Sequence, residues 1–184
     1  MQRDTRSTKF PIGSALPKFQ LQNVDGKLLG SECLQGAKAA LVVFSCNHCP
    51  YVQGTDALLL EIVKRFEPRG LKTVAISAND PVQYPEDGFA QMQTKAKTLK
   101  LPFPYLFDET QAVARAFDAS CTPECYLFDG AGKLCYQGAI TDRPKERDAE
   151  RKDLLSPAIE STLSGKAPVP DFNHPIGCSI KWKN

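Results

Sequence analysis

No apolar run in this chain of 184 residues approaches the roughly 18 residues that a membrane span requires. Behind the polar start, Met1 to Lys9, no apolar segment follows, so a secretory signal is missing. Neither sign of charge is in excess. The 23 Lys and Arg stand against 21 Asp and Glu, a formal +2, which gives no support to binding of nucleic acid or an anionic membrane surface. Neither G-x-G-x-x-G nor a P-loop occurs, so no organic cofactor is implied. A second C-x-x-C, which a zinc ribbon would need, is lacking, as is the histidine after C-x-x-C that haem attachment would need. With Met1 taken as a native start, these absences lead us to expect a cytoplasmic chain. No internal repeat or low-complexity stretch divides it, and we expect one domain over 1–184.

Cysteine is plentiful. Cys33, Cys46, Cys49, Cys121, Cys125, Cys135 and Cys178 make seven, an odd number. A chain of this length is not a small disulfide-stapled scaffold. In a reducing compartment most of them should be reduced and packed as small hydrophobes. The exception is Cys46-Asn47-His48-Cys49-Pro50, which follows the apolar run Leu41-Val42-Val43-Phe44. A strand that ends in C-x-x-C and feeds a helix sets two thiols at a helix N-terminus, where free N–H groups and the peptide dipoles favour negative charge. The thiolate is the reactive form of cysteine, so the arrangement points to thiol–disulfide chemistry. Protonated His48 would lower the pKa of a neighbouring thiol. Pro50 suits the first turn of a helix, where its missing N–H costs nothing. Metal transfer is the competing chemistry. Cys46, His48 and Cys49 offer three ligands, and His174 and Cys178 could add two from the tail.

The pattern along the chain predicts an α/β protein. Residues 1–10 read as a loose arm. Residues 11–36 read as a hairpin or meander turning at Asp25-Gly26. Strands are expected at 41–45 and 71–77, joined by a helix over 50–66 that has Val52, Leu59, Ile62, Val63 and Phe66 on one face. A polar helix over about 86–100, an extended piece at 102–107 and a short helix at 109–117 come next. Strands at 125–128 and 133–137 flank the turn Asp129-Gly130-Ala131-Gly132. From Asp142 to Asp153 ten of twelve residues are charged, five of each sign. This reads as a solvated loop leading into a helix that ends near Leu163 and is capped by Gly165. The tail, 166–184, is rich in proline yet carries Phe172, Ile176, Ile180 and Trp182, so we expect it to pack on the domain. A βαβ half followed by ββα gives a central mixed sheet with helices on both faces. The C-x-x-C then lies at the C-terminal edge of a parallel strand, where open α/β sheets place their chemistry.

Strand, C-x-x-C, helix, then Thr122-Pro123 before a later hairpin resembles the thioredoxin superfamily. Three stretches are similar to a peroxiredoxin-like group within it, the alkyl hydroperoxide reductase/thiol-specific antioxidant (redoxin) branch. They are Cys46 to Val52; Asn79-Asp80-Pro81 with Tyr84-Pro85-Glu86-Asp87; and Gly177 to Trp182. The resemblance runs from about Gly13 to Lys183. It implies a thioredoxin-like fold with an N-terminal β-hairpin. It implies Cys46 as the attacking thiol nearest solvent and Cys49 as the resolving thiol. It also implies a cis Thr122–Pro123 peptide that leaves the backbone of residue 122 free for an extended substrate. The partners so implied are a protein or small-molecule disulfide or thiol and an unidentified reductant or oxidant. His48 between the cysteines is similar to the oxidising members of the superfamily.

The alternative is a peroxidase. In peroxiredoxins the peroxide-attacking cysteine aligns with Cys49, a threonine with Cys46 and an arginine with Pro123. Both departures remove peroxide-activating groups and favour the dithiol reading. Where thioredoxin carries a buried Asp, this chain has Ala40, and Glu124 is the candidate substitute. Cys33, Cys121, Cys125 and Cys135 are expected to be structural. Cys178 is open between packing and a redox role.

Overall fold

A computed structural model describes residues 7–146 and 150–184. The first pair of strands, β1 (Gln20–Asn23) and β2 (Leu28–Gly30), is the expected hairpin. Its turn needs Gly26 at φ +85°, a left-handed conformation that glycine adopts without a Cβ penalty, and the Lys27 N–H donates to Asp25 Oδ1 at 2.9 Å. Next come β3 (Ala39–Ser45), α1 (Pro50–Phe66) and β4 (Leu71–Ser77). β3 and β4 are parallel, so α1 is the crossover of a βαβ unit. α2 (Phe89–Leu99) leads to β5 (Tyr105–Phe107), parallel to β4. α3 (Ala112–Ala116), β6 (Cys121–Thr122), β7 (Glu124–Asp129) and β8 (Leu134–Gly138) follow. α4 (Leu155–Leu163), β9 (Phe172–Asn173) and β10 (Cys178–Ser179) complete the chain.

Eight strands form one mixed sheet in the order β2-β1-β5-β4-β3-β7-β8-β9, and β10 pairs with β6 apart from it. β3 is central and wholly buried. Its alternate residues face opposite sides, as a period of two requires. Ala39, Leu41 and Val43 pack with Leu59, Ile62 and Phe66 of α1, Met92 of α2 and Ile159 of α4. Ala40, Val42 and Phe44 pack with Val113 and Phe117 of α3. Helices therefore cover both faces.

Several boundaries differ from expectation. α2 starts at Phe89, not at 86, because Pro85–Asp87 form a 3₁₀ turn. That turn points Asp87 inward. α3 starts at Ala112 because Gln111, at φ 63°, breaks the chain direction before it. Residues 1–6 of the expected arm lie outside the described residues. Residues 7–10 are not loose. Phe10 is buried against Phe117, Tyr126 and Phe128, and the Ser7 hydroxyl donates to Asp118 at 2.5 Å. Burying an aromatic ring outweighs the entropy of fixing a few residues. Of the charged stretch, 147–149 also lie outside the described residues. Beyond it, Asp153 accepts from the first N–H groups of α4, those of Leu155 and Ser156. The tail lies on the domain, with β9 parallel to β8 and Ile180 buried beside α3.

Candidate active site

β3 ends at Ser45 and α1 begins at Pro50. The turn between them carries Cys46, Asn47, His48 and Cys49. Cys49 is the N-cap of α1, with Pro50 in the first turn. The turn is held from several sides. Lys95 of α2 donates to the Cys46 carbonyl at 3.0 Å while ion-paired to Asp56 at 2.9 Å. Gln53 donates to the Asn47 carbonyl at 3.0 Å, and the Tyr105 hydroxyl to Asn47 Oδ1 at 3.0 Å.

The two cysteines pack against each other and against Val52. Opposite them lies Thr122, joined to Pro123 by a cis peptide bond. Cys46 Sγ is 3.3 Å from Thr122 Oγ1, and Cys49 Sγ is 3.3 Å from the Thr122 carbonyl oxygen. Cys46, Cys49, Thr122 and Pro123 are thus one cluster.

Charge is divided unequally over the pair. The Cys46 thiol donating to its sulfur lowers Cys49 to about 4, against burial, with help from the Cys178 thiol and the backbone N–H groups of Val52 and Cys178. Cys46 is pushed far above the ordinary thiol range by its bond to Cys49, by burial and by the Asp87 charge. These causes favour the negative charge on Cys49 and the proton on Cys46. Position at a helix N-terminus acts in the same direction.

Three expectations are corrected here. Cys46 is not near solvent; it and Cys49 both have no exposed surface. The backbone of Thr122 is not free, because Cys178 of β10 pairs with it. His48 does not serve the thiolate directly. Its Nδ1 bonds to Asp87 Oδ2 at 2.6 Å and its ring stacks on Tyr84 at 5.3 Å. The groups that shift the thiols most are each other and burial, followed by Asp87 at Cys46 and Cys178 at Cys49.

Asp87 is the residue that sequence reasoning missed. It is wholly buried and accepts from the N–H groups of Asn47 and His48, from His48 Nδ1 and from Asn79 Nδ2. It thereby fixes the turn that carries the cysteines. Its signal in the sequence is the Tyr84-Pro85-Glu86-Asp87 stretch. Glu124 is buried but bonded to Ser120, Cys121 and Gln137 and does not figure among the main causes of either thiol's shift.

The remaining cysteines divide. Burial raises Cys125 strongly, Cys135 to about 11, and Cys33. Cys125 lies in one core and Cys33 beside the other. Cys178 packs on Cys46, Cys49 and Val52. Among the described residues, the ligand atoms of Cys46, His48 and Asp87 lie within 4.8 Å of one another. Cys49, His174 and Cys178 are not in that group. At 2.6 Å, His48 and Asp87 stand closer than the ~3.3 Å that separates two ligands of one tetrahedral zinc ion; the pair is hydrogen-bonded.

Known proteins bear on this geometry. The chain is 28% identical over 171 residues to the 1-Cys peroxiredoxin PER1 of Zea mays, which covers 89% of this chain and 65% of that relative's length. It is 41% identical, with a TM-score of 0.89, to an uncharacterized conserved protein from Geobacillus kaustophilus, over 95% of this chain and 93% of the other. A hypothetical protein from Sinorhizobium meliloti is 32% identical, with a TM-score of 0.87, over 95% and 96%. The thioredoxin domain of a thiol-disulfide oxidoreductase from Bacteroides vulgatus has a TM-score of 0.58 at 17% identity, over 68% and 86%. This last likeness shows the thioredoxin-like fold alone. The model of the AhpC/TSA family matches residues 12–137. That match spans more than half of the chain and takes in β3, α1 and β7 with both cysteines of the turn, so the chain belongs to the AhpC/TSA family.

Proposed function

We propose that the protein is a thiol–disulfide oxidoreductase whose Cys46 and Cys49 alternate between a dithiol and an intramolecular disulfide. The observation that carries this reading is the packing of the two buried cysteines on each other, with each sulfur 3.3 Å from Thr122, Cys46 from its hydroxyl and Cys49 from its carbonyl oxygen. The Cys49 thiolate attacks one sulfur of a substrate disulfide. The substrate S–S bond breaks, and the first product thiol leaves with a proton. Cys46, giving up its own proton, then attacks Cys49 Sγ and displaces the second product thiol. Two electrons pass from the dithiol to the substrate. The order is the reverse of the one expected from the resemblance, because the charge rests on Cys49.

Trapping tests it. With a substrate disulfide, the double variant Cys46→Ser/Cys178→Ser, which leaves no second thiol packed on Cys49, should accumulate a mixed disulfide on Cys49 and lose turnover by 100-fold or more. Cys49→Ser should accumulate little, since the sulfur left behind has no low-pKa partner. Full disulfide turnover by that double variant would sink the dithiol mechanism.

One observation favours a second substrate class. Cys46 packs beside a sulfur of lowered pKa at the start of α1, at the position that a threonine holds in peroxiredoxins. A hydroperoxide attacked by Cys49 would leave a sulfenic acid and release an alcohol or water. Cys46 would then condense with the sulfenic acid, releasing water and forming the same disulfide. Peroxide consumption measured beside disulfide reduction separates the two substrates.

A further inference from the structure

The tail strand β10 lies where the family resemblance led us to expect a substrate. β10 runs antiparallel to β6, with Cys178 opposite Thr122 and Ser179 opposite Cys121. The approach is close. A Cβ built on Gly177 would lie 2.1 Å from the Thr122 carbonyl oxygen, so only glycine fits there without a shift. The strap is pinned at both ends. Upstream, Phe172 and Asn173 pair with Gln137 and Gly138 of β8. Downstream, the Lys181 N–H donates to Asn79 Oδ1 and its carbonyl accepts from the Asp80 N–H. Between these anchors Cys178 packs on Cys46 and Cys49. Cys178 is half-buried, whereas Cys46 and Cys49 have no exposed surface.

We infer that Cys178 is a third redox thiol, held by the tail strand in the place of a substrate, and that it takes over the disulfide from Cys46–Cys49. This rests on the dithiol reading above. Once Cys46–Cys49 is oxidised, Cys178 Sγ attacks Cys49 Sγ. The Cys46–Cys49 bond breaks as the Cys49–Cys178 bond forms, and the proton lost by Cys178 goes to Cys46. No electrons are gained or lost in this step. The disulfide has moved from sulfurs without exposed surface to one that an external dithiol can reach. Attack of that dithiol on Cys178 releases the Cys49 thiolate, and the reductant leaves as its own disulfide.

The experiment is disulfide mapping by mass spectrometry after brief treatment with diamide and acid quench, on wild type, Cys46→Ser and Cys178→Ser. Wild type should yield both Cys46–Cys49 and Cys49–Cys178 peptides, and Cys46→Ser should yield Cys49–Cys178 in most chains. Cys178→Ser should form Cys46–Cys49 but be reduced by dithiothreitol at least tenfold more slowly than wild type. Cys46–Cys49 in wild type with no Cys49–Cys178 in any sample overturns the relay and leaves the dithiol reading standing. Absence of both bonds overturns the two together. Wild type alone decides this point, so a variant that fails to fold does not obscure it.

Discussion

At Cys49 the negative charge is held by donors from the turn, from α1 and from the tail, and Asp87 opposes the same charge at Cys46. The consequence is a pH profile unlike that of an ordinary cysteine. A thiolate with its pKa lowered to about 4 is present at every pH above that value and is lost as pH falls through it. Alkylation of Cys49 by iodoacetamide, followed by mass spectrometry, should therefore stay flat down to about pH 5 and fall about tenfold per unit below about pH 4. An unperturbed thiol would already be losing reactivity below about 8.5. Asp87 carries a second expectation. Removing a buried carboxylate that accepts from Asn47, His48 and Asn79 leaves several donors without a partner. Asp87→Ala should lower unfolding free energy by about 3 kcal/mol, read from the urea midpoint. Nothing in the pattern of polar residues at 84–88 announces burial, because Asp87 is turned inward by a 3₁₀ turn and not by a repeating face.

Elements long enough to repeat their pattern were legible. Seven buried residues in β3 and the apolar face of α1 give a periodicity that is easily read. β6, β9 and β10 have two residues each, too few for any period, and exist because a partner backbone is at hand. That is why the apolar residues of the tail could predict packing but not pairing, and why the edge at Thr122 was expected to be open. The pairing over the sulfurs is also short, two residues on each strand. Gly177→Ala places a methyl against the Thr122 carbonyl, and its φ carries no left-handed penalty. Loss of about 1.4 kcal/mol of strap docking should raise the alkylation rate of the native dithiol about tenfold where opening limits access, with the urea midpoint nearly unmoved. An equal rate in both proteins would show that the strap does not guard the sulfurs.

Across the whole molecule the two cores share the labour. One joins α1, α2 and α4 to the sheet. The other gathers α3, Phe10 near the start of the chain and Ile180 near its end. Phe10 sits 5.3 Å from Phe117, and the Arg115 guanidinium lies 4.5 Å over the Trp182 ring. The apolar residues of 10–21 and 172–182 were visible in the sequence. Their meeting on one face of the sheet was not, since it joins segments far apart in the chain. Through Ile180 and Trp182 this second core holds the far end of the strap, and so couples the packing of both chain ends to the cover over Cys46 and Cys49.

A cover of that kind sorts oxidants by bulk. Sulfurs with no exposed surface admit a small hydroperoxide or a low-molecular-weight disulfide through brief fluctuations, while a folded protein disulfide must wait for the strap to lift. Reaction with a small disulfide should then exceed that with a folded protein disulfide of matched redox potential by about 100-fold in wild type. The gap should narrow in Gly177→Ala, as stopped-flow kinetics of the two reactions would show. Comparable rates in wild type would mean that the strap already stands open in solution. The tail would in that case set the sieve's mesh at no size at all, and selectivity would have to arise from chemistry alone.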